Sequence, residues 1–142
     1  MPTVEITRRE EFSASHRLHN PDLSDQENLE LFGICNNRHG HGHNYELEVT
    51  VRGDVPSQSG MVMNLNDLMR ILRERVVEPL DHKHLNHDVP FLEGLVTTAE
   101  NVAVAIWDQI ADEIASHGSA RLYRVRLYES HANLVDYYGP ER

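Results

Sequence analysis

The chain has 142 residues, 39% of them hydrophobic and 25% charged, and a formal net charge of −10 at pH 7. These values are ordinary for a globular protein, and the length fits a single domain spanning residues 1–142. The acidic balance argues against a surface that binds nucleic acid or an anionic membrane, because such surfaces are basic. Phosphorylated small molecules remain open as ligands, since the arginines can cluster locally.

The single cysteine and the N-terminal segment bear on the compartment. Cys35 has no partner for an internal disulfide, which agrees with a reducing environment. The N-terminal residues lack the apolar core of a signal peptide, and no apolar run approaches a membrane-spanning length. We therefore expect a cytoplasmic protein with a free thiol. The ordinary interpretation of such a cysteine is a small core hydrophobe.

The first predicted strand covers residues 3–16. Charges at positions 8 and 10 interrupt an alternating set of Val4, Ile6, Phe12, Ala14 and His16. If no bulge intervenes, His16 ends this strand pointing inward; a core or surface histidine without a metal is the alternative. The polar segment that follows contains a short helix, capped by Ser24 or Asp25 and ending at Phe32 before Gly33.

The stretch from Cys35 to Val51 joins the cysteine to three alternating histidines and a second strand. Its apolar residues alternate strictly with polar ones: Tyr45, Leu47, Val49 and Val51. This phase places His43, and with an extended backbone His41 and His39, on the apolar face. Grouped imidazoles suit a divalent transition metal, zinc by default, and His16 is a candidate for a further ligand. Exposed loop histidines without a metal are the alternative.

Two amphipathic helices are predicted in the second half of the chain. The first has Asn64 or Asn66 as its N-cap and ends near Pro79. The second follows a capping box in which Thr97 is the cap and Glu100 reaches back to it, and it runs to about residue 116. The predicted buried stripes are Leu65, Leu68, Met69, Leu72, Val76 and Leu80 in the first helix, and Ala103, Ile106, Trp107, Ile110 and Ile114 in the second.

A second histidine-rich segment lies between these helices and is expected to be a loop. In it, Asp81 followed by His82 fits an orienting carboxylate beside an imidazole that transfers protons, although adjacent pairs of this kind are common by chance. His84 and His87 are interpreted as surface residues.

The last two predicted strands form a hairpin, residues 121–129 and 134–138. The predicted apolar face of the first consists of Tyr123, Val125 and Leu127, and Glu129 falls on the same side. A carboxylate there is costly unless hydrogen-bond donors meet it. A ligand that carries N–H groups is one explanation, and a strand that ends at Tyr128 is the other.

The order of these elements predicts an α+β protein. Two helices would pack on one face of a four-stranded antiparallel sheet. The open edges of such a sheet would favour pairing between subunits. The sequence contains no internal repeat, no phosphate-cradling glycine loop and no Ser-His-Asp order.

Six segments, in this order and spacing, resemble the 6-pyruvoyl-tetrahydropterin synthase family across nearly the whole chain: FSASH, CNNxxGHGHNY, GMVMNLNDL, PLDHKHL, TTAENVAVAIWD and LYES. The resemblance implies a tunnelling fold (T-fold), in which three subunits join their sheets into a barrel. Two such trimers stack into a homohexamer with active sites at subunit interfaces.

The resemblance also implies roles for individual residues. It assigns a zinc ion (Zn2+) to His16, His41 and His43, which leaves His39 as a bystander. It makes Cys35 the general base. The remaining implied catalytic and substrate-binding residues are Asp81 and His82 as partners of the cysteine, Glu129 as the anchor of the pterin ring, and Thr98 and Glu100 in the pterin pocket.

By the same resemblance the chain is a zinc-dependent lyase of tetrahydrobiopterin biosynthesis. It would convert 7,8-dihydroneopterin triphosphate to 6-pyruvoyl-tetrahydropterin and release triphosphate. The alternative is a 6-carboxy-tetrahydropterin synthase of queuosine biosynthesis, which shares the HGH, Asp-His and Glu features, although SDQENLELFGICNN and MVMNL look closer to the pyruvoyl enzymes. A third hypothesis is a pterin-binding or metal-binding module without turnover. Arg17, Arg38 and Lys83 lie near the motifs, but the sequence does not assign the residues that hold the triphosphate.

Overall fold

The computed structural model of the chain describes residues 1–140. Its strands and helices are, in chain order, β1 (Thr3–His16), α1 (Asp25–Phe32), β2 (His41–Asp54), α2 (Leu65–Leu72), α3 (Glu78–Leu80), β3 (Lys83–His84), α4 (Ala99–Ala115), β4 (Arg121–Tyr128) and β5 (Leu134–Tyr137). A π-helical turn, Arg73–Val77, joins α2 to α3, and short 3₁₀ turns occupy Gly33–Asn36 and Pro90–Leu92.

The sheet has five strands in the order β3-β1-β2-β4-β5. The α+β class and the antiparallel pairing of the four longer strands are confirmed. The prediction of only four strands is wrong, because the two-residue β3 pairs in parallel with β1 at Ala14 and Ser15. A strand of this length has no alternating pattern, so the segment around His84 had been expected to be a loop. His84 is half-buried there, and His87 is exposed.

The hairpin of β1 and β2 positions the ends of both strands. Their pairing runs without a register shift from Thr3 opposite Asp54 to His16 opposite His41. Because no bulge intervenes, the alternating phase carries through, and His16 ends β1 on the buried face with 1% of its surface exposed. The neighbouring pair on this face, Phe12 and Tyr45, stacks with ring centroids 4.9 Å apart.

The helices α2, α3 and α4 pack against the sheet and cover its apolar face. The stripe predicted for α4 is buried throughout, and in the α2–α3 segment Leu68, Leu72, Val76 and Leu80 are fully buried while Leu65 is exposed. The N-cap of α2 is Asn64, and α1 begins at a capping box formed by Ser24 and Glu27.

Among the described residues, no helix is long and apolar enough to cross a membrane.

The cap predicted for α4 is wrong by one residue. Thr98, not Thr97, accepts the hydrogen bond from the Asn101 amide. The Thr97 side chain is fully buried, and its hydroxyl donates to Asn86 Oδ1 at 3.1 Å. The hydroxyl of Thr97 is therefore engaged in the interior. Glu100 makes no reciprocal bond and is exposed in the first turn.

A bulge at the start of β4 corrects the predicted phase of that strand. The pairing with β2 skips Tyr123, so Leu122 is buried in the core and Tyr123 is only half-buried. The extra residue reverses which side chains face inward at that point. Beyond the bulge, Val125 and Leu127 are fully buried, as predicted. The next residue in the same phase is Glu129.

Candidate active site

Three histidines meet where the paired ends of β1 and β2 reach the edge of the buried face. His16 lies directly opposite His41, and His43 is the next residue of β2 with the same orientation. The three ring centroids are 4.7, 5.1 and 4.9 Å apart. One ring nitrogen of each lies within 4.8 Å of the others, so the three residues could hold a metal ion. His39 is exposed in the loop before β2 and is not part of this cluster.

His16 is oriented from behind by the segment that leads into α4. Its Nδ1 lies 2.7 Å from the carbonyl oxygen of Thr97. Because a carbonyl only accepts, Nδ1 carries the proton and Nε2 presents its lone pair to the cluster. This Nε2 is 3.1 Å from Nε2 of His41. In a tetrahedral zinc site with Zn–N distances of about 2.0–2.1 Å, ligand nitrogens lie about 3.3 Å apart, which is close to this spacing.

His43 provides the test of whether a metal fits. Its Nε2 is buried and has no hydrogen-bond partner among the described residues. A buried nitrogen without a hydrogen-bond partner is unfavourable unless a bound ion or molecule interacts with it. A cation bound between the three imidazoles would satisfy this nitrogen, and three neutral nitrogen donors suit a divalent ion of the zinc type.

Glu129 reaches the same cluster from the end of β4. Its Oε2 lies 4.0 Å from His16 Nε2, and its Oε1 lies 3.8 Å from His43 Nε2. The Glu129 amide donates to the Asn133 carbonyl at 3.0 Å, which closes the turn into β5. The carboxylate therefore points toward the cluster, with 26% of the side chain exposed. Within residues 1–140 neither of its oxygens accepts a hydrogen bond, so both remain available to a ligand.

Burial lowers the pKa values of two histidines of the cluster, His16 and His43. Desolvation is the largest cause that lowers the pKa of His16, and the neighbouring histidines act in the same direction, while the Thr97 carbonyl and Glu129 oppose them. The pKa of His43 is also lowered, again chiefly by burial. Neutral imidazoles are the form that binds a metal, so burial favours the ligating form of His16 and His43 in the folded chain.

We expect the metal-free protein to lose stability as the pH falls through the titration range of histidine. Unfolded histidines bind protons below a pH of about 6.5, whereas the lowered pKa values of His16 and His43 delay protonation in the folded state. The unfolded state then holds more protons, so the free energy of unfolding decreases with decreasing pH. Melting temperatures of chelator-treated protein at about pH 7.5 and about pH 5.5 measure this. His43→Gln should show a shallower decrease; a Tm that rises on acidification would contradict the assignment.

A pocket of about 270 Å³ lies next to Glu129. Thr98 and Glu100 line it, together with Leu18 and the start of β5. The Thr98 hydroxyl serves as the N-cap acceptor of α4. The structure thus brings the three residues predicted for a pterin pocket to one place, adjacent to the histidine cluster.

Cys35 lies outside the cluster, in the 3₁₀ turn Gly33–Asn36. Its thiol is free and half-buried. The Cys35 carbonyl accepts the Leu18 amide at 2.9 Å, and the side chain of Asn36 donates to the Leu18 carbonyl at 2.8 Å. These bonds hold the turn against Leu18, which lines the pocket beside Glu129.

Asp81 and His82 lie at the edge of the sheet, beside β1. Asp81 Oδ1 accepts the Ser13 amide at 2.8 Å, and its Oδ2 lies 2.8 Å from His82 Nδ1. The hydrogen bond from Ser13, followed by that from His82, lowers the pKa of Asp81. The carboxylate thus orients the imidazole, whose side chain is 81% exposed on a backbone with a φ of 60°. Within residues 1–140, no hydrogen bond or ion pair joins this pair to the histidine cluster.

Sequence reasoning missed two residues that support His16. Thr97 had been assigned to the helix cap, and Asn86 had been given no role. The Asn86 side chain accepts the Arg17 amide at 2.9 Å and donates to the Arg17 carbonyl at 2.8 Å, while also accepting the Thr97 hydroxyl. These bonds join three segments that are distant in sequence, and local patterns carry no signal for them.

Asn86→Ala is expected to lower the free energy of unfolding by roughly 2–3 kcal/mol, because three hydrogen bonds to partly buried groups are lost. Urea denaturation measures this change. Asn66→Ala, at an exposed position in the first turn of α2, is the matched control and should change stability by less than about 0.5 kcal/mol. Equal effects of the two substitutions would show that Asn86 does not join the segments around His16.

The chain is similar to known proteins over nearly its whole length. The family model described as 6-pyruvoyl tetrahydropterin synthase matches residues 5–140. The human 6-pyruvoyl tetrahydrobiopterin synthase is 51% identical over 136 residues, which cover 96% of this chain and 92% of the human protein. The solved structure of Caenorhabditis elegans 6-pyruvoyl tetrahydropterin synthase superposes with a TM-score of 0.91 at 42% identity, covering 99% of this chain and 98% of that one. A putative 6-carboxy-5,6,7,8-tetrahydropterin synthase of Archaeoglobus fulgidus is 36% identical over 90 residues, covering 63% of this chain and 68% of the archaeal protein.

Proposed function

The chain belongs to the 6-pyruvoyl tetrahydropterin synthase family, and from this membership and the geometry of the cluster we propose that it is a zinc-dependent enzyme acting on 7,8-dihydroneopterin triphosphate. The product is 6-pyruvoyl-tetrahydropterin, a step of tetrahydrobiopterin biosynthesis, and triphosphate leaves. The observation that carries the proposal is the convergence of His16, His41, His43 and Glu129 at one end of the sheet.

His16, His41 and His43 are the proposed metal ligands. Each is neutral when it binds, and the Thr97 carbonyl fixes the ring of His16 so that Nε2 faces the ion. A zinc ion held there supplies Lewis-acid stabilisation of the negative charge that develops on the oxygens of the substrate side chain. The reaction needs no external redox cofactor, because the side chain of the substrate is oxidised while the ring is reduced.

Glu129 is the proposed anchor of the pterin ring. The amino-pyrimidine edge of a pterin carries adjacent N–H donors, and a carboxylate accepts two of them in a bidentate arrangement. Both oxygens of Glu129 lie within 4.0 Å of ligand nitrogens, so a ring bound there places its side chain beside the metal site. Thr98 and Glu100 line the same pocket and complete the proposed pterin site.

Cys35 is the proposed general base. As a thiolate it removes the proton from a carbon of the substrate side chain, the step that begins the internal redox rearrangement. The hydrogen bonds of its turn to Leu18 support this role, because Leu18 borders the pocket that contains Glu129. Cys35 is half-buried and free of any disulfide, as a general base must be.

Asp81 and His82 are proposed to relay protons at the site of a neighbouring subunit. The pair is already oriented by its own hydrogen bond, and its imidazole is exposed at the edge of the sheet, where another subunit could dock. The short β3 and the four-residue β5 are the two edges of the sheet, and joining such edges is how T-fold subunits would close a barrel. A homohexamer built from two trimers would bring the His82 of one copy to the cleft of the next.

The product identifies the reaction. Zinc-loaded protein incubated with 7,8-dihydroneopterin triphosphate is expected to release triphosphate and 6-pyruvoyl-tetrahydropterin, identified by chromatography and mass spectrometry. Acetaldehyde together with a carboxylated pterin would instead assign the carboxy-type reaction. If the protein binds pterin but forms no product, it is a binding module and not an enzyme.

A further inference from the structure

A cavity of about 420 Å³ lies behind the end of β1, in the range of about 300–1,000 Å³ typical of small-molecule sites. It is bounded by the segment that leaves β1, the loop before β2 and the loop between β3 and α4. Its charged and titratable lining residues are Arg17, His19, Asp22, Arg38, His84 and His87. Two guanidinium groups therefore face a single carboxylate in a chain whose net charge is −10.

The two arginines retain unused hydrogen-bond donors. Arg17 donates from Nε to the Asn36 carbonyl at 3.0 Å and from Nη2 to Asn36 Oδ1 at 3.4 Å, which fixes the guanidinium and leaves Nη1 without an acceptor. Arg38 is exposed and, within the described part of the chain, has neither a hydrogen bond nor an ion pair. The permanent positive charge of the cavity comes from these two residues, because burial and the neighbouring His87 lower the pKa of His84.

The cavity adjoins the histidine cluster, because Arg17, which lines it, directly follows His16. Glu129 lies within 4.0 Å of His16 and His43, and His41 is the remaining member of the cluster. His41 follows Gly40, where an added Cβ would lie 2.8 Å from the His16 carbonyl oxygen and 3.3 Å from His84 Nε2. The backbone at Gly40, just before His41, therefore passes close to His84, which lines the cavity. To enter the cavity, a ligand anchored at Glu129 would extend past His16 and His43.

We propose that this cavity binds the phosphate chain of the substrate, with Arg38 and Nη1 of Arg17 as the principal donors. The proposal rests on the pterin triphosphate substrate proposed above. Phosphate oxygens accept short, charge-assisted hydrogen bonds from guanidinium groups, and arginine matches their geometry better than lysine does. The fixed position of Arg17 and the free side chain of Arg38 provide one rigid and one adaptable contact.

The test compares two fluorescent, oxidised analogues, neopterin and neopterin triphosphate, by titration of the zinc-loaded protein. Arg38→Ala is expected to weaken binding of neopterin triphosphate roughly tenfold, the usual worth of a hydrogen bond to a charged group, and to leave neopterin binding unchanged. Arg38→Lys should recover part of the loss. Arg52→Ala, which removes the same charge from an exposed position at the other end of β2, is the control and should alter neither affinity.

The possible outcomes distinguish failure of the cavity assignment from failure of the proposed function. Unchanged binding of neopterin triphosphate by Arg38→Ala, with neopterin still bound, overturns the cavity assignment alone. An equal loss of affinity for both ligands also overturns the cavity assignment, since Arg38 would then contribute to binding of the pterin and not of the phosphates. Failure of the unaltered protein to bind either ligand overturns the pterin function and this assignment with it.

Discussion

Loss of bound zinc is the expected result of His41→Ala. The substitution leaves only His16 and His43 from the cluster, and two ligands do not hold a catalytic zinc ion that ordinarily has three from the protein. Loss of a residue that only hydrogen-bonds to a metal ligand already lowers the affinity for the metal by about 10–100-fold. Removal of a ligand itself should therefore lower this affinity by at least about 100-fold. Product formation should disappear with the metal. Because His41 is half-buried at a strand end, we expect the fold to persist.

Metal analysis after gel filtration in metal-free buffer measures this effect. His39→Ala is the matched control, since it removes an imidazole two residues away that is exposed and outside the cluster. The control should retain one zinc ion per chain. Stoichiometric zinc in His41→Ala, or equal losses in both variants, would show that these nitrogens do not share a metal.

Cys35→Ala should reduce turnover by about 10²–10⁴-fold, the usual contribution of a positioned general base. The zinc content should stay unchanged, because the thiol lies outside the histidine cluster. Neopterin affinity should also be preserved, since Glu129 and its pocket are intact. Initial rates, metal analysis and neopterin titration on one preparation separate loss of the base from loss of the site.

Ile34→Ala is the matched control for Cys35→Ala. Ile34 lies in the same turn and is 90% exposed, so its truncation tests whether disturbance of the turn alone slows the reaction. It should retain most of the activity. Equal turnover in Cys35→Ala and the unaltered protein would falsify the assignment of the base.

The geometry of the histidine cluster could be predicted largely from two alternating strands. The orientation of His16 and His43 follows from a period of two that persists over long strands, and the pairing of β1 with β2 has no bulge to interrupt it. Glu129 kept its predicted side for the same reason, since Val125 and Leu127 precede it in an unbroken phase. Where the backbone stays regular, the pattern of residues was sufficient to orient the side chains.

Contacts between distant segments could not be predicted in the same way. The bulge at Tyr123 changes the register by one residue without any glycine to mark it. The roles of Thr97 and Asn86 depend on which elements pack together, because they bond His16 and Arg17, at the end of β1 and just after it, from segments far along the chain. The place of His82 at the sheet edge likewise follows from the pairing of β3, which is too short for a pattern.

The origin of all three clustered imidazoles in one hairpin has a consequence for the order of assembly. His16, His41 and His43 precede residue 55, so a growing polypeptide contains the complete donor set before its helical half has been synthesised. The carbonyl that fixes the His16 tautomer arrives only with Thr97, when α4 docks. A metal ion could therefore bind weakly to the nascent hairpin and more tightly once the C-terminal half has folded. Because it would bind the folded chain more tightly, such an ion would favour completion of the fold.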